Sequence, residues 1–242
     1  MRNLISAIQF ITIIPVGKTI QFNPKGMIPL FPVAGLFIGI LLAIFDFIAC
    51  ILWSGEVAAI LDVLFLVIVT GAFHIDGLSD AADGLYGQWP KEKALEIMKD
   101  SRVGAMGVVI VICALAVKWG GVSGLDTGRF VLLMVVPAYS RGSMLFGIKF
   151  LKYGRPDGGT AHAFFNKSLE FSDFKWLFIP VFLSFFAGLR GVWLNICFVV
   201  CLSIILTFYK KRIGCITGDM LGAMTEIMES TLFLMVSIGV IQ

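Results

Sequence analysis

The chain has few charged residues, and it lacks the patterns of several common protein classes. Only 14% of its 242 residues are charged, whereas 58% are hydrophobic; soluble domains average about 25% charged residues. One soluble domain of this length could not bury so much apolar surface, so lipid must surround much of the chain. No basic run with interleaved aromatic residues is present, and nucleic acid is therefore not expected as a partner.

Cysteine and histidine are also sparse. The five cysteines show neither a CxxC motif nor a Cys/His spacing typical of zinc sites. An odd number without paired spacing disfavours a disulfide framework. His74 and His162 are the only two histidines, and the motifs contain no Ser/His/Asp triad.

The apolar segments predict an all-α fold, a polytopic transmembrane helix bundle that forms a single domain over residues 1–242. A spanning helix needs about 20 mainly apolar residues. The seven predicted spans are 31–53, 56–71, 103–119, 130–150, 176–189, 192–209 and about 222–241. Residues 3–14 lack a following small-x-small cleavage site. We expect them to form a retained, short interfacial or re-entrant helix.

Basic residues are distributed unevenly between the two sides of this arrangement. Of the 19 Lys and Arg residues, only Arg129 and Arg190 lie in loops on one side. Lys118 and Arg141 lie in or at the ends of spans, and Lys118 is expected to snorkel without a functional role. By the positive-inside rule the other side is cytoplasmic. This predicts an inner-membrane protein with a cytoplasmic N-terminus, an external Gln242 and a site facing the cytoplasm.

The first motif, FHIDGLSDAADG at residues 73–84, is the strongest candidate for a catalytic site. Asp76, Asp80 and Asp83 fall at i, i+4 and i+7, on one face of a helix. Like charges on one face repel, but a divalent cation among the oxygens stabilises them, and Mg²⁺ suits such ligands. Gly84 would let the substrate approach closely. The alternative is a solvated acidic helix end.

Two basic motifs could bind phosphate: the second motif, residues 99–107, and the third motif, residues 152–160. Lys99, Ser101 and Arg102 precede a predicted helix, and the N-terminus of a helix attracts anions. Lys152 and Arg155 lie in a Pro/Gly-rich loop and could hold a second anionic group. For the motif with Lys99 and Arg102, ordinary positive flanking of the span is the alternative.

The fourth motif, residues 217–226, places acids at the start of the last span. Asp219 and Glu226 are seven residues apart and share a helix face, which predicts five carboxylates at one membrane level. For Glu226 a polar helix–helix contact is the alternative. Gly218 is predicted to contact substrate. Arg141, inside a span, needs an anionic partner, either an Asp of these motifs or a substrate phosphate. Asp46 and Asp62, which also lie within or near spans, look isolated.

Acids for a metal ion and basic groups for phosphate indicate phosphoryl-type transfer, in which catalysis is mostly positioning and charge stabilisation. The motifs FHIDGLSDAADG, MKDSRVGAMG, YGRPDGG and TGDMLGA resemble the hallmark blocks of the cobalamin synthase family. The segments FITIIPVG and FPVAGLFIG are similar to the N-terminal pattern of that family. The resemblance covers nearly the whole chain.

This resemblance implies a Mg²⁺-dependent phosphotransferase that completes the nucleotide loop of cobalamin. The enzyme transfers the phosphocobinamide arm of adenosylcobinamide-GDP to α-ribazole or its 5′-phosphate and releases GMP. The expected metal ligands are Asp76, Asp80, Asp83, Asp219 and Glu226. The expected substrate contacts are Ser101, Arg102, Arg141, Lys152, Arg155, Gly84 and Gly218. A homo-oligomer, or association with other cobalamin-assembly enzymes, stays open.

We expect direct attack by the ribose hydroxyl, with Asp83 accepting its proton, Asp80 in the metal group and Lys99 with Arg102 offsetting charge on GMP. The covalent alternatives are His74 and His162. The run Asp80-Ala81-Ala82-Asp83-Gly84 is also similar to the start of the CDP-alcohol phosphatidyltransferase signature, but the match then breaks. Phospholipid head-group transfer is therefore the second hypothesis, and an ion-coupled transporter is the third.

Overall fold

The structure is a computed structural model that describes residues 2–17, 23–155, 158–159, 161–166 and 168–239. Predictions that concern Gln242, Pro156 and Asp157 lie outside these residues. The described residues form helices and the loops that join them. The α-helices are α1 (Arg2–Ile11), α2 (Pro24–Met27), α3 (Phe31–Leu52), α4 (Gly55–Val69), α5 (Phe73–Tyr86), α6 (Lys91–Ile97), α7 (Ala105–Ser123), α8 (Arg129–Phe150), α9 (Phe178–Ser184), α10 (Leu189–Arg212) and α11 (Gly218–Val236).

Within the described residues, four helical segments are long and apolar enough to cross a membrane: Pro24–Leu52, which ends in α3, and helices α7, α8 and α10. Helices α4 and α5 form a fifth candidate if they are counted as one bent span. The helical membrane-protein class is thus supported, whereas the predicted number of seven spans is not confirmed.

The break between α4 and α5 explains one difference. Helix α4 has only 15 residues, about 22 Å at 1.5 Å per residue, which is short of a bilayer core of about 30 Å. Gly71 and Ala72 then adopt left-handed conformations, with φ of 59° and 57°, and α5 leaves at 88° to α4. The segment predicted as a span at 56–71 therefore continues into the acidic helix.

The predicted span at 176–189 is also not one regular helix. A 3₁₀ helix at Phe171–Leu177 precedes α9, a second at Phe185–Ala187 follows it, and Gly188 has φ of 63°. Because short 3₁₀ pieces interrupt it, this segment is not among the helices with the length of a span.

Helix α11 is the centre of the bundle. It packs against α5, α7, α8 and α10, and most of its residues are buried. It carries three acids, Asp219, Glu226 and Glu229. Because it is surrounded by protein rather than lipid, these acids can be paired internally.

The opposite end of the bundle from the basic loops holds a second polar group. Arg129 of α8 lies 2.6 Å from Asp46 of α3 and 3.2 Å from Asp62 of α4. The expectation that Asp46 and Asp62 are isolated is wrong. The two acids and the arginine belong to different helices, so no local spacing reveals the pairing.

Candidate active site on helices α5 and α11

Helix α5 presents the three acids of the first motif as predicted. The segment Phe73–Tyr86 is helical throughout, so Asp76, Asp80 and Asp83 share one face. Asp76 is exposed, and the other two are half-buried. On the opposite face Leu78 and Leu85 are buried, which orients the acids away from the bundle core.

A close crossing of α5 and α11 brings Asp219 to this face. A Cβ atom added to Gly77 would lie 2.8 Å from the backbone oxygen of Asp219. A Cβ atom added to Gly222 would lie 3.4 Å from Cα of His74. The two backbones are therefore in contact, as small residues allow at helix crossings in membranes.

The crossing gives a testable prediction. In Gly77→Ala, the new methyl group meets rigid backbone, so we expect the helices to separate, with a loss of about 1–3 kcal/mol of stability and of most enzymatic turnover at this site. Gly120→Ala in α7 is the matched control, because nothing lies within 4 Å of its added Cβ. Thermal unfolding and turnover of both variants check this. Equal behaviour of the two variants would contradict the role of the crossing.

Asp80 lies at the centre of the acidic group. Its charged neighbours include Asp76, Asp83 and Asp219, all of the same sign, and the cation Arg155. Within the described part of the chain, no group donates a hydrogen bond to Asp80. A half-buried carboxylate among three others is unfavourable unless a cation compensates it.

The loop of the third motif supplies Arg155. The backbone N–H of Gly154 donates to the Ile216 carbonyl at 2.9 Å, and the Ile216 N–H donates to the Lys152 carbonyl at 2.9 Å. This pairing fixes the loop beside the start of α11. Arg155 consequently lies 2.6 Å from Asp219.

A cavity of about 430 Å³ adjoins Arg155. Its basic lining residues are Lys99 and Arg155, and Gly154, Gly158 and Gly159 leave its wall free of side chains. Glu92 and Glu96 complete its polar lining. The second and third motifs thus meet at one opening beside the acids, a suitable place for an anionic substrate group.

Asp83 has a different position from the one expected. Its two oxygens accept hydrogen bonds from the backbone N–H groups of Gly104 at 2.7 Å and Gly107 at 2.8 Å. It therefore caps the N-terminus of α7. The helix N-terminus that was predicted to bind phosphate is occupied by this carboxylate. The glycines of the second motif leave the space that Asp83 fills.

The other predicted phosphate ligands lie at the surface. Arg102 is exposed and forms a 2.5 Å ion pair with Asp100, whose pKa is lowered to about 2 by hydrogen bonds from Arg102. Ser101 and Lys152 are also exposed. None of these three lines the cavity beside Arg155, so a substrate would have to extend towards them.

Glu226 does not join the acidic group. It is buried, two helical turns deeper than Asp219, about 10 Å along the axis, and lies 2.5 Å from Lys118. Lys118 also lies 2.7 Å from Glu229. The prediction that Glu226 converges with the four aspartates is therefore wrong. Lys118, expected to snorkel, is 1% exposed.

Arg141 belongs to the same buried network. It is fully buried and pairs with Glu229, so its partner is neither a motif Asp nor a substrate phosphate. Sequence reasoning missed Glu229. The available signal was its position three residues after Glu226, together with two basic residues inside spans, which balances two negative charges with two positive ones.

The predicted contact of Gly84 with substrate needs revision, and the two histidines and Gly218 have the following positions. Gly84 faces α6, because an added Cβ would lie 2.7 Å from the Ala94 carbonyl oxygen, so it serves helix packing. His74 is 1% exposed and lies beneath the acids. His162 packs edge-on against the Tyr153 ring at 5.7 Å. Gly218 forms the first turn of α11 beside Asp219.

The acids fit a magnesium ion in their chemistry. In the described ranges no three His, Cys, Asp or Glu side chains converge into a complete metal cage. Mg²⁺, however, is usually held by one or two carboxylates plus substrate phosphates. The uncompensated Asp80 and its neighbour Asp219, next to a basic cavity, match that requirement.

Comparison with known proteins gives a consistent result. The sequence model of the family described as "Cobalamin-5-phosphate synthase" matches residues 3–237. An adenosylcobinamide-GDP ribazoletransferase of Alkaliphilus metalliredigens is 35% identical, over 98% of this chain and 95% of the relative. Proteins of the same name from Brevibacillus brevis and Geotalea daltonii are 35% and 32% identical, over 97% and 99% of this chain and 97% and 98% of the relatives. No solved structure gives a significant match.

Proposed function

Because the chain belongs to the cobalamin-5-phosphate synthase family, we propose that it completes the nucleotide loop of cobalamin at the α5–α11 site. The reaction transfers the phosphocobinamide moiety of adenosylcobinamide-GDP to α-ribazole or its 5′-phosphate and releases GMP. The product is adenosylcobalamin or its 5′-phosphate. Family membership favours this reaction over phospholipid head-group transfer and over transport.

The observation that carries the proposal is that residues of four motifs lie next to one another, with Arg155 paired to Asp219 and also lining the cavity. Asp80 of α5 and Asp219 of α11 are brought together by the Gly77 crossing, and Arg155 and Lys99 line the adjacent cavity. A pyrophosphate needs both kinds of group, acids for its metal ion and cations for its oxygens.

We assign Mg²⁺ to Asp80 and Asp219. When bound, the ion would neutralise charge on the pyrophosphate and on the departing GMP. Arg155 and Lys99 would hold the phosphate oxygens on the cavity side. Asp83 then acts as a positioning residue, because it anchors α7 and the second motif to the acidic helix.

The ribose hydroxyl of the acceptor attacks the phosphorus that carries the cobinamide arm. The new P–O bond forms as the bond to GMP breaks, and the hydroxyl proton must leave. Both Asp83 oxygens already accept backbone N–H groups, of Gly104 and Gly107, so Asp83 is held away from the acceptor hydroxyl. We therefore assign proton acceptance to Asp76, which is exposed on the same face.

We further propose that the site faces the cytoplasm. A cysteine introduced at Lys152, in the exposed loop beside the site, should be labelled by an impermeant maleimide only from the inside, because the basic loops stay in the cytoplasm. Ser54→Cys, at the other end of α3, should be labelled from the outside. The native exposed cysteines, Cys50 and Cys113, are replaced beforehand. Labelling of the Lys152 position from outside would contradict this orientation.

Purified protein reconstituted in vesicles tests the function. With adenosylcobinamide-GDP, α-ribazole and Mg²⁺, we expect equal amounts of GMP and adenosylcobalamin, and no product after chelation of the metal. A chirally labelled thiophosphate substrate should give inversion at phosphorus, as expected for one in-line step. Lack of GMP release with both substrates present would refute the assignment, and net retention would refute direct attack.

A further inference from the structure

An apolar groove runs beneath the acidic helix, on the side away from the active site. Its volume is about 270 Å³. Helices α5, α7, α10 and α11 all contribute to its lining, which includes Leu78, Leu85, Ile110, Ile204, Phe208 and Ile227. Because α7 and α10 are candidate membrane spans, the groove lies where acyl chains are present.

The mouth of the groove is open to the outer surface of α10. Ile204 is 63% exposed and Phe208 is 49% exposed, so both present side chains to the exterior as well as to the groove. The same two residues also line a second cavity of about 630 Å³. The two cavities are therefore neighbours along α10 and share the wall that these two side chains form.

The second cavity ends in positive charge. Lys211 and Arg212, in the last turn of α10, line it together with Ser203 and Thr207. Arg212 donates hydrogen bonds to the carbonyls of Leu85, Gly87 and Trp89, which are neutral acceptors. In the described part of the chain neither Lys211 nor Arg212 pairs with a carboxylate, so their charges are not compensated.

We propose that this composite cavity is a binding site for one anionic phospholipid. An acyl chain occupies the groove between α7 and α10, and the phosphate lies at Lys211 and Arg212. Basic pockets at the cytoplasmic ends of spanning helices attract anionic headgroups. A neutral lipid would satisfy the groove but leave the two cations unpaired.

The site has a clear structural relation to the active site. Leu78 and Leu85 line the groove from the face of α5 opposite to Asp76, Asp80 and Asp83. The guanidinium group of Arg212 also holds the C-terminal carbonyls of α5. A bound lipid therefore supports the helix that presents the acids, without touching the substrate.

Native mass spectrometry of the full chain in a neutral detergent tests the proposal. Dioleoyl phosphatidylglycerol is titrated into the wild-type chain, and dioleoyl phosphatidylcholine serves as the neutral comparison. We expect one phosphatidylglycerol per chain, bound at least ten-fold more tightly than phosphatidylcholine. Glycerol phosphate, which has the headgroup charge but no acyl chain, should not displace it.

Matched variants locate the lipid. Lys211→Glu should weaken phosphatidylglycerol binding at least ten-fold, whereas Lys210→Glu, the same charge change on a neighbour outside the cavity lining, should not. Ile204→Asn should weaken binding, whereas Val200→Asn, one turn earlier and outside both linings, should not. Lys211→Gln replaces Lys211→Glu if the latter does not fold.

Three results would overturn the proposal: equal weakening by the Lys210 and Lys211 variants, displacement by glycerol phosphate, or unchanged binding in Ile204→Asn. Each is read from lipid binding alone, so none depends on whether the chain performs the proposed transfer.

Discussion

Asp80→Asn should lower kcat/KM about 1000-fold while the protein remains folded. The substitution keeps the shape of the side chain and removes the charge at the centre of the acidic group, next to Asp76, Asp83 and Asp219. Loss of a metal ligand that stabilises charge on a pyrophosphate costs several kcal/mol of barrier, and about 4 kcal/mol corresponds to this change in rate.

The steady-state rate of GMP release measures this effect. Glu56→Gln is the control, since Glu56 is an exposed acid in the first turn of α4, at the end of the bundle away from the acidic face of α5. Its rate should equal that of the wild type. Near-normal turnover of Asp80→Asn would show that the acidic face of α5 has no role in catalysis.

Glu229→Gln should be strongly destabilising even though Glu229 lies outside the active site. In the native protein Glu226 and Glu229 balance Lys118 and Arg141, and all four side chains are almost completely buried. Removal of one negative charge leaves a buried cation without a partner, which costs about 3–5 kcal/mol. We expect a fall in Tm of the order of 10 °C in detergent.

A charge-balanced variant separates this explanation from simple loss of packing. The double variant Arg141→Met/Glu229→Met removes one charge of each sign, so it should be more stable than either single variant. Glu96→Gln, which breaks the exposed pair with Lys93, should change Tm little. Additive destabilisation in the double variant would show that the buried charges are not coupled.

Features that depend on a single segment of the chain are predictable from the sequence. The face formed by Asp76, Asp80 and Asp83 is predictable, because i, i+4, i+7 spacing within one helix fixes it. The apolar helices α3, α7, α8 and α10 are predictable from their length and hydropathy. The bend between α4 and α5 was missed, because the apolar pattern alone does not reveal the left-handed Gly71 and Ala72.

The features that were missed depend on contacts between distant segments. Asp83 caps α7 from 21 and 24 residues away, and Lys118 meets Glu226 across 108 residues. Spacing within a helix does not predict which way it is rotated against its neighbours. The glycines at 77, 104 and 107 carried the available signal, since each marks a place where another segment approaches closely.

Binding of Mn²⁺ tests most directly the proposal that Asp80 and Asp219 hold a Mg²⁺ ion. Mn²⁺ binds the same oxygen ligands as Mg²⁺ and is observed by electron paramagnetic resonance. We measure Mn²⁺ bound by the purified chain in the presence of adenosylcobinamide-GDP without the acceptor. Wild type and Asp76→Asn should bind the ion, whereas Asp80→Asn and Asp219→Asn should each bind it at least ten-fold more weakly. Unchanged Mn²⁺ affinity in both Asp80→Asn and Asp219→Asn would contradict a catalytic metal site between α5 and α11.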